Sequence, residues 1–234
     1  VQLNTTTLIR HAARTHGERE IVYRERDGSW QRYDYARCYA RVCRGANALK
    51  ALGVQPGDRV GILAWNNREH FELYWSIPGI AAVMLQLNLR LAPEQLAYVI
   101  NHSQASLIVV DETLLPLAEA IAEKVPTVRG WVVISDKPLA QIKTTLAPLH
   151  QYEELLAAAS TDMAWPQIAE QSAYSACYTT GTTGNPKGVY YSHRSIYLHS
   201  FAVAANYGIT LDDCTLLLTP MFHASCWGSP QAAA

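Results

Sequence analysis

An α/β fold with mostly parallel sheets is predicted by two features of the 234-residue sequence. Short apolar runs of strand length alternate with helical patterns of about ten residues or more, and a β-hairpin signal stands ahead of them. Strands separated by helices are joined by crossover connections, so neighbours in such a sheet run parallel. Apolar residues make up 49% of the chain, ample for a packed core. At roughly 150 residues per domain the length corresponds to one large domain and part of another.

Residues 21–26 (IVYRER) and 29–35 (SWQRYDY) flank Asp27-Gly28, which is expected to supply both positive φ values of a two-residue turn. Tyr35, Cys38, Val42, Ala46 and Leu49 recur at three- and four-residue steps, with Asp34 as N-cap and Gly53 beyond the end, predicting an amphipathic helix. After a Pro-Gly-Asp turn, 59–65 (RVGILAW) reads as a strand bounded by Asn66 and Asn67. A helix carrying Phe71, Tyr74 and Trp75 then runs to Pro78. The rhythm repeats with a strand at 82–88, a helix at 93–100 opened by Pro93, a strand at 106–111, a helix at 113–124 and a strand at 130–135. Residues 137–150 lose periodicity and read as a connector. A short helix at 152–159, a strand at 174–178, a helix at 195–206 closed by Gly208, and a strand at 214–220 follow. Two units are expected: 1–170 as a first α/β subdomain, and 171–234 as the start of a second.

Nineteen basic residues against 20 acidic ones give a net charge of -1, which argues against nucleic acid as a partner. No solenoid, heptad or collagen period recurs. Five scattered cysteines form no CxxC pair and have no histidine at zinc spacing, which fits a reducing compartment, here the cytoplasm. The uncharged stretches 73–89 and 195–211 contain Pro, Gln, Asn or His and make poor membrane spans, so no transmembrane segment is expected. Charged residues are only 17% of the chain, and none occurs after Asp213, which suggests that part of the surface is covered by further protein.

The chemistry lies between the strand at 174–178 and the helix that follows: Thr179, Thr180, Gly181, Thr182, Thr183, Gly184, Asn185, Pro186, Lys187 and Gly188. Glycines let backbone N–H groups wrap an anion, the hydroxyls donate, and Lys187 brings a mobile positive charge. The run is not a Walker loop, because Pro186 stands where glycine precedes the lysine and Gly188 stands where a hydroxyl would ligate magnesium. A plain strand-to-helix connection is the bland alternative, and the density of phosphate-binding residue types argues against it.

YTTGTTGNPKGV followed by YSHR resembles the phosphate-loop signature YT[ST]GTTGxPKGV of the AMP-forming adenylating enzymes: acyl-CoA synthetases, firefly-type luciferases and peptide synthetase adenylation domains. Residues 19–60 resemble that family's opening hairpin and helix, and 57–111 its first βαβ block. Residues 220–228 (PMFHASCWG) resemble the PMFHxxxWG stretch of the fatty acyl-CoA synthetases. The resemblance implies the amino-terminal portion of the large domain of an acyl-CoA synthetase-like fold. It also implies a fatty-acid–CoA ligase that forms an acyl-adenylate from ATP and a medium- or long-chain acid, then the thioester with coenzyme A.

By position, the resemblance implies that Thr179, Thr180, Gly181, Thr182, Thr183, Gly184, Lys187 and Gly188 bind ATP phosphates. Thr179 would also hold Mg2+, and Lys187 would follow the leaving pyrophosphate. His223 would lie beside the reacting carboxylate and α-phosphate, with Lys187 and His223 as the catalytic pair and Trp227 as the gate of the fatty-acid tunnel. The adenine, ribose and carboxy-terminal catalytic groups would lie beyond Ala234, leaving this portion inactive alone. Homodimer formation and peripheral membrane contact, both seen among long-chain relatives, stay open. So do a ligase for an aryl or other acid and a non-catalytic nucleotide-binding module. His193 and Arg194 are read as shaping the exit of the loop, and Cys177 and Cys226 as packing.

Overall fold

The structure, a computed structural model, describes residues 2–179 and 185–234. Helix α1 (Thr6–Thr15) precedes an antiparallel hairpin of β1 (Glu20–Arg24) and β2 (Trp30–Asp34). Six strands follow, all parallel to one another: β3 (Arg59–Leu63), β4 (Val83–Gln86), β5 (Ala105–Asp111), β6 (Trp131–Ile134), β7 (Leu149–Gln151) and β8 (Ala173–Thr179). A last strand, β9 (Lys187–Ser192), returns antiparallel to β8. The seven lie in the order β7-β6-β5-β3-β4-β8-β9. The expected subdomain step at 170/171 therefore falls inside one sheet, where β8 pairs with β4.

Helices α2 (Tyr35–Ala51), α3 (Arg68–Gly79) and α6 (Tyr152–Ala158) cover one face of this sheet, meeting Val60, Ile62, Met84, Val109 and Val132. The other face carries α4 (Pro93–Ser103) and α5 (Leu115–Ala122) over Leu85, Ile108, Val110 and Val133. Burial on both faces explains why these strands read as continuous apolar runs rather than alternating ones. Helix α7 (His193–Tyr207) and the short α8 (Ser229–Ala232) complete the chain.

The Asp34 carboxylate accepts from the Arg37 N–H at the start of α2, at 2.7 Å, as the N-cap pattern predicts. Asp34→Ala is expected to cost about 1 kcal/mol, read as a lower urea midpoint; an unchanged midpoint would deny the cap. Between α2, α3 and α6 lies an ionic cluster. The Arg41 guanidinium donates to Glu72 at 2.6 and 3.1 Å and to Glu153 at 2.6 and 2.9 Å, and the Tyr152 hydroxyl donates to Glu72 at 3.1 Å. The Glu72 side chain is 0% exposed. Burial pushes its carboxyl up to about 7, against the pull of Arg41.

Ligands of open parallel sheets usually sit where the strand order reverses, here outside the carboxyl ends of β3 and β5. The chain fills that place itself: the Arg26 guanidinium, from the hairpin loop, donates to both Asp111 oxygens at 3.0 and 2.8 Å and to the Ile134 carbonyl at 2.8 Å.

Three expectations are corrected and one element, α1, is added. The hairpin loop is not a two-residue turn. The Glu25 N–H donates to the Ser29 carbonyl, the Gly28 N–H donates to the Glu25 carbonyl, and only Gly28 takes a positive φ, 88°. The first residues form α1, whose Ile9 and Ala12 pack inward. Between the phosphate motif and α7 stands β9, whose Val189, Tyr190 and Tyr191 suit a strand, so α7 begins at His193 rather than 195. Residues 214–220 form no strand. Leu216 and Leu218 are exposed, and in place of a ladder the Asn66 amide donates to the carbonyls of Leu217 and Thr219.

Candidate active site

Thr180, Gly181, Thr182, Thr183 and Gly184 lie outside the described residues; the two ends of their segment do not. Thr179 is the last residue of β8 and stands in register with Lys187, the first of β9. Directly paired residues in an antiparallel ladder project to the same face, with Cβ atoms about 4.5–5.5 Å apart. Alternation places Ser175 and Cys177 on that face too, and a 4.0 Å contact between Cys177 Sγ and the Tyr191 hydroxyl joins the two strands there. Thr179 and Lys187 are both exposed, and among the described residues Lys187 has no ion-pair partner.

Gly188 faces the opposite side. A Cβ there would meet Tyr178 Cζ at 2.9 Å, so glycine lets that ring close over the strand, where the Tyr178 hydroxyl meets His102 Nδ1 at 2.8 Å. This packing gives Gly188 a structural reason to be glycine, independent of phosphate.

The 220–228 segment docks on the Ser175 and Cys177 face. The Met221 carbonyl accepts from the Tyr74 hydroxyl at 2.6 Å and from Gln86 Nε2 at 2.7 Å. The Ser225 N–H donates to Gln86 Oε1 at 2.7 Å, and the Ser225 hydroxyl lies 3.2 Å from that of Ser175. Ala224, Ser225, Cys226 and Trp227 have φ of 48°, 52°, 50° and 55°, and Gly228 has 72°. Four consecutive non-glycine residues in the left-handed region each cost about 1–2 kcal/mol, so the surrounding bonds must hold this turn. His223 precedes it and is exposed, its imidazole without a hydrogen-bond partner among the described residues. Trp227 is 65% exposed, and its carbonyl meets His199 Nε2 at 3.1 Å. The structure thus brings Thr179, Lys187 and the His223 segment to one face, at the carboxyl ends of β4 and β8.

The other candidates are buried or already paired. His193 is buried, with Nδ1 2.9 Å from the Thr5 hydroxyl, and burial lowers its pKa to about 4, so it is neutral near pH 7. The Arg194 guanidinium donates to Glu170 at 2.6 Å. Burial pushes up the thiols of Cys177 and Cys226, the latter to about 11, which keeps both protonated. The roles of Gln86, Asn66 and Tyr74 at this face are not legible in the sequence. Their one visible signal was a glutamine inside the apolar run VMLQL.

The AMP-binding enzyme family model matches residues 9–233. The chain belongs to the AMP-binding enzyme family. It is 44% identical over 231 residues to a 3-methylmercaptopropionyl-CoA ligase of Ruegeria lacuscaerulensis, covering 98% of this chain and 43% of that protein. A medium-chain-fatty-acid–CoA ligase of Ectopseudomonas oleovorans is 39% identical over 235 residues, at 100% and 43% coverage. A solved long-chain-fatty-acid–CoA ligase of Archaeoglobus fulgidus superposes with a TM-score of 0.84 at 20% identity, over 99% of this chain and 45% of that one, a likeness of fold. The family member described here thus spans less than half the length of these three relatives. Among the described residues no helix is long and apolar enough to cross a membrane.

Proposed function

We propose that this chain is the phosphate-binding part of an AMP-forming fatty-acid–CoA ligase, acting on ATP, a medium- or long-chain acid and coenzyme A. The observation that carries the reading is the registered pair Thr179–Lys187 on the face where the His223 segment docks. A carboxylate must approach the α-phosphate of a polyanion, and the repulsion between the two has to be offset. Lys187, projecting without a competing carboxylate among the described residues, neutralises charge on the pyrophosphate as it leaves. Thr179 to Gly184 hold the β- and γ-phosphates, His223 faces the acid and the α-phosphate, and Trp227 closes the acid tunnel.

Thr179 suits magnesium as a single neutral oxygen donor. Mg2+ commonly takes most of its ligands from water and substrate phosphates, and no His, Cys, Asp or Glu cluster among the described residues could hold a metal instead. When bound, the ion spreads phosphate charge.

A second reading, a ligase for a short thioether acid, is favoured by the 44% identity to the 3-methylmercaptopropionyl-CoA ligase. Acid-dependent exchange between pyrophosphate and ATP, measured on the full-length protein, tests both. Exchange rising with acyl chain length is the expected result. Exchange with 3-methylmercaptopropionate alone would favour the second reading. Absence of exchange with every acid would remove the ligase and leave a nucleotide-binding module.

A further inference from the structure

His223 is placed by its backbone alone, since no hydrogen bond among the described residues holds its ring, and that backbone belongs to no helix or ladder up to Met221. From Ala224 onward it runs in the left-handed region that L-residues avoid. Without an external hold, such a segment would relax and carry the imidazole with it.

One side chain supplies that hold on both sides of the histidine. Gln86, 2% exposed at the carboxyl end of β4, donates through Nε2 to the Met221 carbonyl and to the Tyr74 hydroxyl, both at 2.7 Å. Its Oε1 accepts from the Ser225 N–H at 2.7 Å. Met221 and Ser225 lie two residues before and two after His223, so a single buried amide fixes both ends of the five-residue span. Tyr74 reinforces the same Met221 carbonyl at 2.6 Å. Farther from the site, Asn66 pins the approach: its amide donates to the carbonyls of Leu217 and Thr219 at 3.0 and 2.9 Å and accepts from the Met221 N–H at 2.7 Å. The neighbours of Gln86 along β4 are buried apolar residues, and an apolar side chain would fill its place without the cost of burying an amide. What the amide adds is a fixed backbone path.

We propose that Gln86 is a positioning residue for His223, holding the left-handed 224–228 turn so that the imidazole stands over the face carrying Thr179 and Lys187. This rests on the reading of His223 as the side chain that meets the acid and the α-phosphate.

The test uses the full-length protein and two readouts. Gln86→Met, similar in length but unable to make the three bonds, is expected to lower the turnover of acid-dependent pyrophosphate–ATP exchange about 10- to 100-fold. The KM for ATP should move by less than about threefold. In a His223→Ala background the same substitution should cause no further fall, because its effect passes through the histidine. A loss that is equal in both backgrounds would overturn the positioning role. Independently of activity, backbone amides in 221–226 should exchange hydrogen about tenfold faster or more in Gln86→Met, while those of β5 and β6 keep their rates. Unchanged exchange in 221–226 would overturn the clamp itself. A His223→Ala protein with full turnover would instead overturn the reading of the histidine and leave the exchange rates to decide whether Gln86 holds the turn.

Discussion

Lys187→Ala is expected to lower kcat/KM for ATP in acid-dependent exchange about 100- to 1000-fold, the usual cost of removing a preorganised charge from a developing anion. The position of the lysine explains why the loss should fall on chemistry rather than on folding. It opens β9 in register with Thr179, is exposed, and has no ion-pair partner among the described residues. Substitutions at such exposed sites usually change stability by no more than about 0.5 kcal/mol. Acid affinity, measured by titration without nucleotide, should stay close to that of the parent protein. Equal losses of acid affinity and of ATP use would contradict the role, since a charge that follows pyrophosphate has no part in binding an acyl chain.

Arg41→Met should destabilise the folded state by about 3–5 kcal/mol near pH 8, because it removes the charge-assisted bonds that Arg41 makes to Glu72 and Glu153 and leaves the buried Glu72 carboxyl without its partner; about 1.4 kcal/mol of this is the pH-dependent part. For a chain of this size the whole loss is a fall in Tm of about 6 to 20 °C. The pH dependence identifies the cause. Burial raises the Glu72 carboxyl from 4.5 to about 7, so the folded state binds its proton more tightly than the unfolded state does. Its contribution to stability is therefore full below pH 4.5 and is lost as the pH rises through about 7. Arg41 limits that loss in the parent protein, and methionine does not. The stability gap between the two should be widest above pH 7 and should narrow steadily toward pH 5, where Glu72 is protonated in both. Denaturant melts at pH 5, 6, 7 and 8 would show this; a gap independent of pH would mean that lost packing, not the stranded charge, is responsible.

The strands were legible where burial on both faces left an uninterrupted apolar run between turn residues, as at Val60 to Leu63 and Ile108 to Val110. The same rule failed at Leu216 to Leu218, where apolar residues found no neighbouring strand and lie exposed, with backbone bonds made by Asn66. Strand β9 is not legible in the sequence because its first residues, Lys187 and Gly188, belong to the phosphate motif. Helix α1 is not legible because its Thr-rich start hides the three-residue step from Ile9 to Ala12. At the site, Thr179, Lys187 and His223 could be named from sequence because a motif carries them. Gln86 could not, since its meaning depends on a backbone 135 residues away, a distance at which neither propensity nor spacing conveys anything. Glu72 and Tyr152, 80 residues apart, were hidden for the same reason.

The return of the chain at β9 has a consequence for handling the protein. β9 ends the sheet, and its N–H and C=O groups on the side away from β8 meet no other strand among the described residues. Its side chains at Val189 and Tyr190 are exposed, and Lys187 is its only charge. An open edge of this composition accepts an added strand from any extended chain nearby, and natural sheets guard such edges with charge, proline or a covering element. In any form of the protein that leaves β9 bare, concentration itself becomes a variable: self-association through this edge would pair the strand that Lys187 opens with a strand of a second molecule.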